Sequence, residues 1–549
     1  MALVSSCRGA RLSASACCLF LVAAQTAAGQ RVPGQSPEAL GKVDFGAQCD
    51  ASVAAEFDRA VALLHHMTYP AAFAAFQAVT REDPDCAMGY WGAAMTLFQP
   101  LWPNRPSPQD LGRGLELALE ARRRVAVAGR ESMFVATVEA FFSPEGEPDY
   151  WARIERWAAA TTELFVAYPD DREARAFFAL AHLATAARGD AAAHHEEAAA
   201  VLSTVLAEEP THPGAVHYLI HANDFSGREG ESLDVVRRYG EIAPANAHAL
   251  HMPTHIFVRL GEWEQVVEWN RRAAAAARRQ RVGPDGEYVW DEYPHAVEYM
   301  VYAKLQQADD RAAQQLIGEL TDTPDLQPTF KTAFHIASTA VRFAVEPRDW
   351  SLAMSLAVPA DSRLDWELFP WPAALIWFGR GLGAAHIEGD GAIVDESLAH
   401  LARLSRSSAA LAEPVFARQI ELLRVELAAW QAFAAGDRER AVRELENAAA
   451  LEESTPKHPV TPGPIVPALE LLGDLYLEMG SPGPALDAYR ASDARAPGRF
   501  NTILGMARAS ASLGDRDAAR ALYRTLLEGT VSSSTRAGVS EARAYIARP

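Results

Sequence analysis

Lysine is scarce: Lys42, Lys304, Lys331 and Lys457 are the four in 549 residues, although Lys and Arg together number 51. Arginine carries nearly all the positive charge, and with the abundant alanine this reads as a compositional bias. Positive charge as a whole is outnumbered by 71 Asp and Glu, for a net charge of −20. Such a surface repels phosphate backbones and anionic headgroups at long range, which argues against nucleic acid and membrane surfaces as partners. No run reaches the ~18 uninterrupted apolar residues that a membrane span needs. Alternating period-2 runs are almost missing, which excludes a β architecture. A phosphate-binding glycine loop, a Gly-x-Ser-x-Gly elbow and a convincing Cys nucleophile are also lacking, which argues against kinase, serine-hydrolase and thiol chemistry.

Cysteine is equally sparse, and its placement is informative. Arg8 and Arg11 precede an apolar run that contains Cys17 and Cys18, and the small residues Ala27-Ala28-Gly29 follow. This is the layout of a secretory signal peptide over residues 1–29, so an exported protein, periplasmic or secreted, is expected. Removal of that segment takes Cys7, Cys17 and Cys18 with it. Cys49 and Cys86 remain, an even pair in an oxidising compartment, and a disulfide between them is expected. It would close a loop of 37 residues and stabilise by about 3–4 kcal/mol on the chain-entropy model. The polar segment 30–44 reads as a linker.

From residue 45 onward the periodicity is helical, broken by short Gly, Pro and Asp signals, and the fold class is all-α. The run Leu471-Leu472-Gly473-Asp474-Leu475-Tyr476, followed by Gly480, Ala485, Tyr489 and Pro497, resembles the tetratricopeptide repeat, a 34-residue helix–turn–helix. Gly514, Asp515, Ala519 and Tyr523 repeat its second half. The same grammar appears in Tyr69, Ala72, Phe76 and Asp83-Pro84, and Pro210 and Pro244 stand 34 residues apart. The resemblance implies a solenoid of helical hairpins, an α–α superhelix. Residues 45–205 read as N-terminal hairpins, 206–357 as a central His-rich section and 358–549 as C-terminal repeats, with insertions near 100–150, 278–290 and 358–370. Three segments look like those of exported bacterial tetratricopeptide-repeat proteins: Pro84 to Met95, His248 to Phe257, and Pro497-Gly498-Arg499-Phe500-Asn501. That family's generic implication is protein–protein interaction.

The histidines are clustered. Five of the 16 fall in the 39 residues from His217 to His255. His217 and His251 are 34 residues apart, as are His221 and His255, so consecutive repeats carry the same His-x-x-x-His pair. Steps of three and four residues keep side chains on one helix face. In the repeat register His248, His295 and His335 fall at position 2 of their first helices, and Glu298 and Tyr302 at positions 5 and 9. Asp224 and Arg259 fall at groove positions 12 and 13. Imidazole suits copper, zinc, iron and nickel, so His217, His221, His248, His251, His255, His295 and His335 are candidate ligands of a transition metal ion. Asp224, Glu298 and Tyr302 are candidate proton handlers, with Arg259 to hold an anionic group, if the centre is a metal-dependent oxidative or hydrolytic enzyme acting on a small molecule. Neither pair is a zincin motif, because Tyr218 and Met252 stand where Glu would be. Pro253 requires a break or kink in its helix.

The alternative is a polar groove or a set of hydrogen-bonded core histidines in a non-catalytic scaffold that binds a peptide or envelope protein. His65-His66 reads as a helix C-terminus, with an inward-pointing pair as the alternative, and His194-His195 as an exposed helix. His458 sits in a rigid turn that could reach the groove, and Trp263 is expected to be packing.

Overall fold

One backbone conformation recurs at the turn inside the hairpins. Gly261, Gly436, Gly480 and Gly514 have φ of 69°, 83°, 72° and 83°, and each lies two residues before the first residue of a second helix. Met67, Ala308 and Arg348 adopt the same left-handed conformation at the equivalent point, with φ of 52°, 52° and 61°. Only glycine adopts it without a steric penalty, so the other three are held by the packing around them. Asp309, Asp349, Asp437 and Asp515 follow directly and cap the next helix, each accepting the backbone N–H three residues on.

The computed structural model describes residues 39–548, apart from 226, 360–363, 388, 389, 412 and 456. The expected signal peptide and most of the linker lie outside them. Successive antiparallel hairpins run from Ala54–His65 with Tyr69–Glu82 to Phe500–Ser512 with Arg516–Glu528, and first helices of adjacent units also touch. This is an all-α solenoid of tetratricopeptide-type hairpins. The first helix Pro213–Asn223 starts 34 residues before its counterpart Ala247–His251. The stretch 100–150 turns out to be regular, holding Pro108–Arg124 and Arg130–Phe142, whereas 278–290 carries a two-residue antiparallel ribbon, Arg281–Val282 with Tyr288–Val289. Among the described residues no helix is long and apolar enough to cross a membrane.

Second helices show the amphipathic stripe of such a stack. In Trp263–Arg279 the buried set is Trp263, Val266, Val267, Asn270, Ala273, Ala274, Ala276 and Ala277. Asn270 is the polar member of that stripe. The central first helices are different: every residue of Pro213–Asn223 is buried, and all but one of Glu292–Gln306. The first is covered by the N-terminal hairpin, whose His65 meets Gly214, His217 and Tyr218, and the second by the C-terminal hairpins, which pack back onto it at Tyr302 and Gln306. Arg499 is fully buried and donates to Glu470, Glu346 and the Tyr302 hydroxyl. The Phe500 N–H donates to Gln306, and Trp263 donates to the Gly498 carbonyl at 2.9 Å. The Pro497–Asn501 segment singled out in the sequence is thus the docking strap, and Trp263 is packing. Cys49 and Cys86 form a disulfide with Cα atoms 4.7 Å apart, tying the lead-in of the first hairpin to its exit.

Candidate metal centre

The helix carrying the second histidine pair is broken where proline demands it. Ala247–His251 and Pro253–Arg259 are separate helices joined at Met252. His248 and His251 sit on the short first piece and His255 on the second. The break swings His248 toward the preceding repeat, where its Nε2 lies 3.2 Å from His217 Nε2. His217 Nε2 is also 3.2 Å from His221 Nε2. Across the break, His251 Nε2 faces His255 Nε2 at 3.1 Å, and the His295 ring centroid is 4.2 Å from that of His251. The result is two trios, His217–His221–His248 and His251–His255–His295, each with one ligating nitrogen per ring mutually within 4.8 Å. All six are at most 6% exposed. The centre is therefore inside the fold and does not line an open groove.

What the outer ring nitrogens touch decides the protonation of the inner ones. His217 Nδ1–H donates to the His65 carbonyl at 2.6 Å, and His248 Nδ1–H to the Glu292 carboxylate at 3.0 Å. His255 Nδ1–H donates to Asp224 at 2.9 Å. His251 Nδ1–H donates to Asn270 Oδ1 at 2.8 Å, and the orientation of that amide is set because its nitrogen donates to the Val266 carbonyl. Glu298 holds the proton of His335 on Nδ1, so His335 Nε2 accepts from His295 Nδ1–H at 3.0 Å. In neutral imidazole one nitrogen carries the proton and the other a lone pair. Thus His217 and His248 point two lone pairs at each other, and so do His251 and His255. Opposed acceptors at 3.1–3.2 Å are unfavourable unless a cation lies between them. Burial pushes the His217, His221, His251 and His295 imidazolium forms well down, and His255 down to about 4, so a proton does not fill that role between His251 and His255 at neutral pH. Two nitrogens bound to one ion at 2.0–2.1 Å with tetrahedral angles stand about 3.3 Å apart. The rings are held near that spacing.

A third cluster shows the contrast. Glu173 accepts from His65 Nε2–H at 2.8 Å and His212 Nε2–H at 3.1 Å, Tyr218 donates to His65 Nδ1, and the Ala215 N–H donates to His212 Nδ1. Every donor there meets an acceptor, so the cluster is structural. It serves the centre by fixing the His65 backbone carbonyl that His217 uses.

The other expected residues take distinct places. Asp224 accepts from His255 and Arg259 and pairs with Lys457 at 2.5 Å, so Arg259 is committed to it. Glu298 reaches the trio only through His335 and is otherwise held by Ser338 and Arg342. His335 supports His295 from outside. Tyr302 accepts from Arg499 and packs on Trp263, away from the imidazoles. His66 is buried between Tyr239 and the Leu40 carbonyl, His195 is partly buried with Nδ1 bound to the Ala222 carbonyl, and His458 packs on Trp371 and Phe416.

Sequence reasoning missed Asn270, Glu292, Tyr299, Lys331, Lys457 and Trp102. Tyr299 packs on His251, His255 and His295. Lys331 pairs with Glu292 and Asp291 and lies 3.6 Å from the centre of the Trp102 ring. Two signals pointed there: Asn270 is polar within an apolar stripe, and two of the four lysines in an arginine-rich chain flank the centre. A cavity of about 20 Å³ opens among His221, His248, His255 and His295 under Leu101, Trp102 and Val460. A second, of about 410 Å³, begins at Asp224, Arg259 and Lys457 and runs along Trp263, Tyr302, Phe334 and Trp371.

Fold and site together define a helical-hairpin repeat protein built around a buried polyhistidine centre. No family model matches the chain, and no curated protein matches it. Among solved structures it is similar to the APC/C hetero-tetramer Cut9–Hcn1, at 13% identity and a TM-score of 0.32, over 90% of this chain and 90% of that one. It is also similar to the human IFIT1 dimer with m7Gppp-AAAA, at 12% identity and a TM-score of 0.36, over 76% of this chain and 86% of that one. Both likenesses are loose, and the fold stands on the helix pairing of this chain.

Proposed function

We propose that this chain is an exported metal-binding protein whose solenoid core holds a transition metal, copper, zinc or iron, through His217, His221, His248, His251, His255 and His295. The observation that carries the reading is the pair of opposed imidazole lone pairs, His217 against His248 and His251 against His255, each fixed by an acceptor on the opposite ring nitrogen. Such outer contacts orient metal-binding histidines and raise their basicity. The structural cluster around Glu173 shows what buried histidines look like when hydrogen bonding alone satisfies them. The cavity of about 410 Å³ beside Asp224 and Lys457 has the size of a small-molecule site and adjoins the centre through Asp224, which accepts from His255. Burial removes the histidines from any surface that an extended peptide could reach.

The test is metal analysis of protein purified from its native compartment without chelator, repeated on His217→Ala and His251→Ala. Wild-type protein is expected to hold metal stoichiometrically and both variants to lose it in part or whole. Wild-type protein that folds with no stoichiometric metal would overturn the reading.

A further inference from the structure

We infer that the two trios hold a pair of copper ions that share one small exogenous ligand in the cavity between them. This rests on the metal-binding reading above and adds the identity and number of the ions and what they take up. Each trio offers three imidazole nitrogens and no anionic donor. The trios abut: the His221 and His255 ring centroids are 5.4 Å apart and those of His248 and His251 6.1 Å. Two histidines from each trio line the same cavity of about 20 Å³, which has room for one water-sized ligand. Three protein donors per ion leave each with a free position, and the shared cavity is where those positions meet.

Charge selects the metal. The carboxylates around the centre are Asp224, Asp291, Glu292 and Glu298, and each is neutralised by a buried or half-buried cation: Arg259 and Lys457 on Asp224, Lys331 on Asp291 and Glu292, Arg342 on Glu298. Among these groups four negative charges meet four positive ones, and Glu173, behind His65, is taken up by His65 and His212, so the groups against the trios supply no excess anion for two adjacent dications, whose mutual repulsion is large in a buried site. Two monovalent copper ions on neutral imidazoles halve that charge. A divalent pair instead takes a bridging anion into the small cavity. Zinc has no monovalent state, and iron sites of this kind ordinarily include a carboxylate ligand. Copper fits both the donor set and the charge balance.

The full-length protein should be titrated with copper and the bound metal counted. Two equivalents per chain are expected. After oxidation the electron paramagnetic resonance signal should account for only a small part of the bound copper, because a one-atom bridge couples the two spins. Sodium azide should bind once per chain, displacing the bridge. His248→Ala and His255→Ala, each disabling one trio, should each hold one equivalent with a full-intensity signal. One equivalent in wild-type protein, or two with a full signal and two azides, would overturn the pair while leaving metal binding intact. No bound copper, zinc or iron would retire both readings. The wild-type stoichiometry and signal stand whether or not the variants fold.

Discussion

Asn270→Leu separates a metal centre from a merely hydrogen-bonded core. Asn270 is fully buried on the second helix Trp263–Arg279, and its Oδ1 accepts His251 Nδ1–H at 2.8 Å. Leucine has nearly the same volume and no acceptor. In the metal-free protein, His251 can then move its proton to Nε2 and donate to His255 Nε2, already 3.1 Å away. That exchange trades one hydrogen bond for another and relieves the opposed lone pairs, so the metal-free variant should lose less than about 1 kcal/mol. Metal binding demands the reverse tautomer and leaves a buried Nδ1–H without an acceptor, which costs about 1–3 kcal/mol. Metal affinity should therefore fall roughly 10- to 100-fold, the range for losing an outer support of a metal-binding histidine. Urea denaturation with chelator and a competition titration measure the two quantities on one preparation. Unchanged metal affinity with a metal-free protein destabilised by several kcal/mol would refute the tautomer argument.

Acid should weaken the fold through histidines outside the centre. His66 is fully buried and neutral, donating to the Leu40 carbonyl and accepting from Tyr239, and burial lowers its pKa to about 3. Because the unfolded chain takes up that proton below about pH 6.5 and the folded chain does not, stability falls with pH by about 1.4 kcal/mol per unit. Between pH 6.5 and 5 this histidine should cost about 2 kcal/mol, and His66→Gln, which can donate and accept at the same two points, should flatten the urea midpoint profile by that amount. Gly261→Ala should destabilise more than Gly436→Ala. Both have positive φ, worth about 1–2 kcal/mol, but a Cβ at Gly261 meets the Pro497 carbonyl oxygen at 2.7 Å while at Gly436 it meets open space; equal losses would contradict the docking strap. Arg499→Met leaves Glu470 and Glu346 buried without their shared cation and should cost about 3–5 kcal/mol, with the C-terminal hairpins becoming sensitive to limited proteolysis before the rest.

Much of the architecture is local, and therefore legible in sequence order. Left-handed turn residues, Asp caps and the 34-residue offset between helix starts are properties of a few consecutive residues, and they specify a hairpin stack without knowledge of any distant contact. The same register brought His217 and His221 into line with His251 and His255, and Pro253 announced its own helix break. Grouping was another matter. The register pairs His217 with His251 as equivalents, yet the break at Met252 sends His248 to the first trio and leaves His251 with His255 and His295. No repeat rule contains that rotation.

Burial was decided later still. A groove position in an isolated solenoid is open to water, but here segments distant in sequence close over the imidazoles: the His65 carbonyl meets His217, and Leu101, Trp102 and Val460 cover the cavity among His221, His248, His255 and His295. Composition established a folded, acidic chain, and periodicity and spacing an all-helical one with its histidines concentrated in adjacent repeats. Only tertiary contact assigned the tautomers, because the acceptor that fixes each ring comes from another helix: Asn270 for His251, Glu292 for His248, Asp224 for His255. The scarce lysines show the same division. The sequence counts four, and the fold places Lys331 and Lys457 beside the carboxylates of the centre, where burying a negative charge requires a positive one.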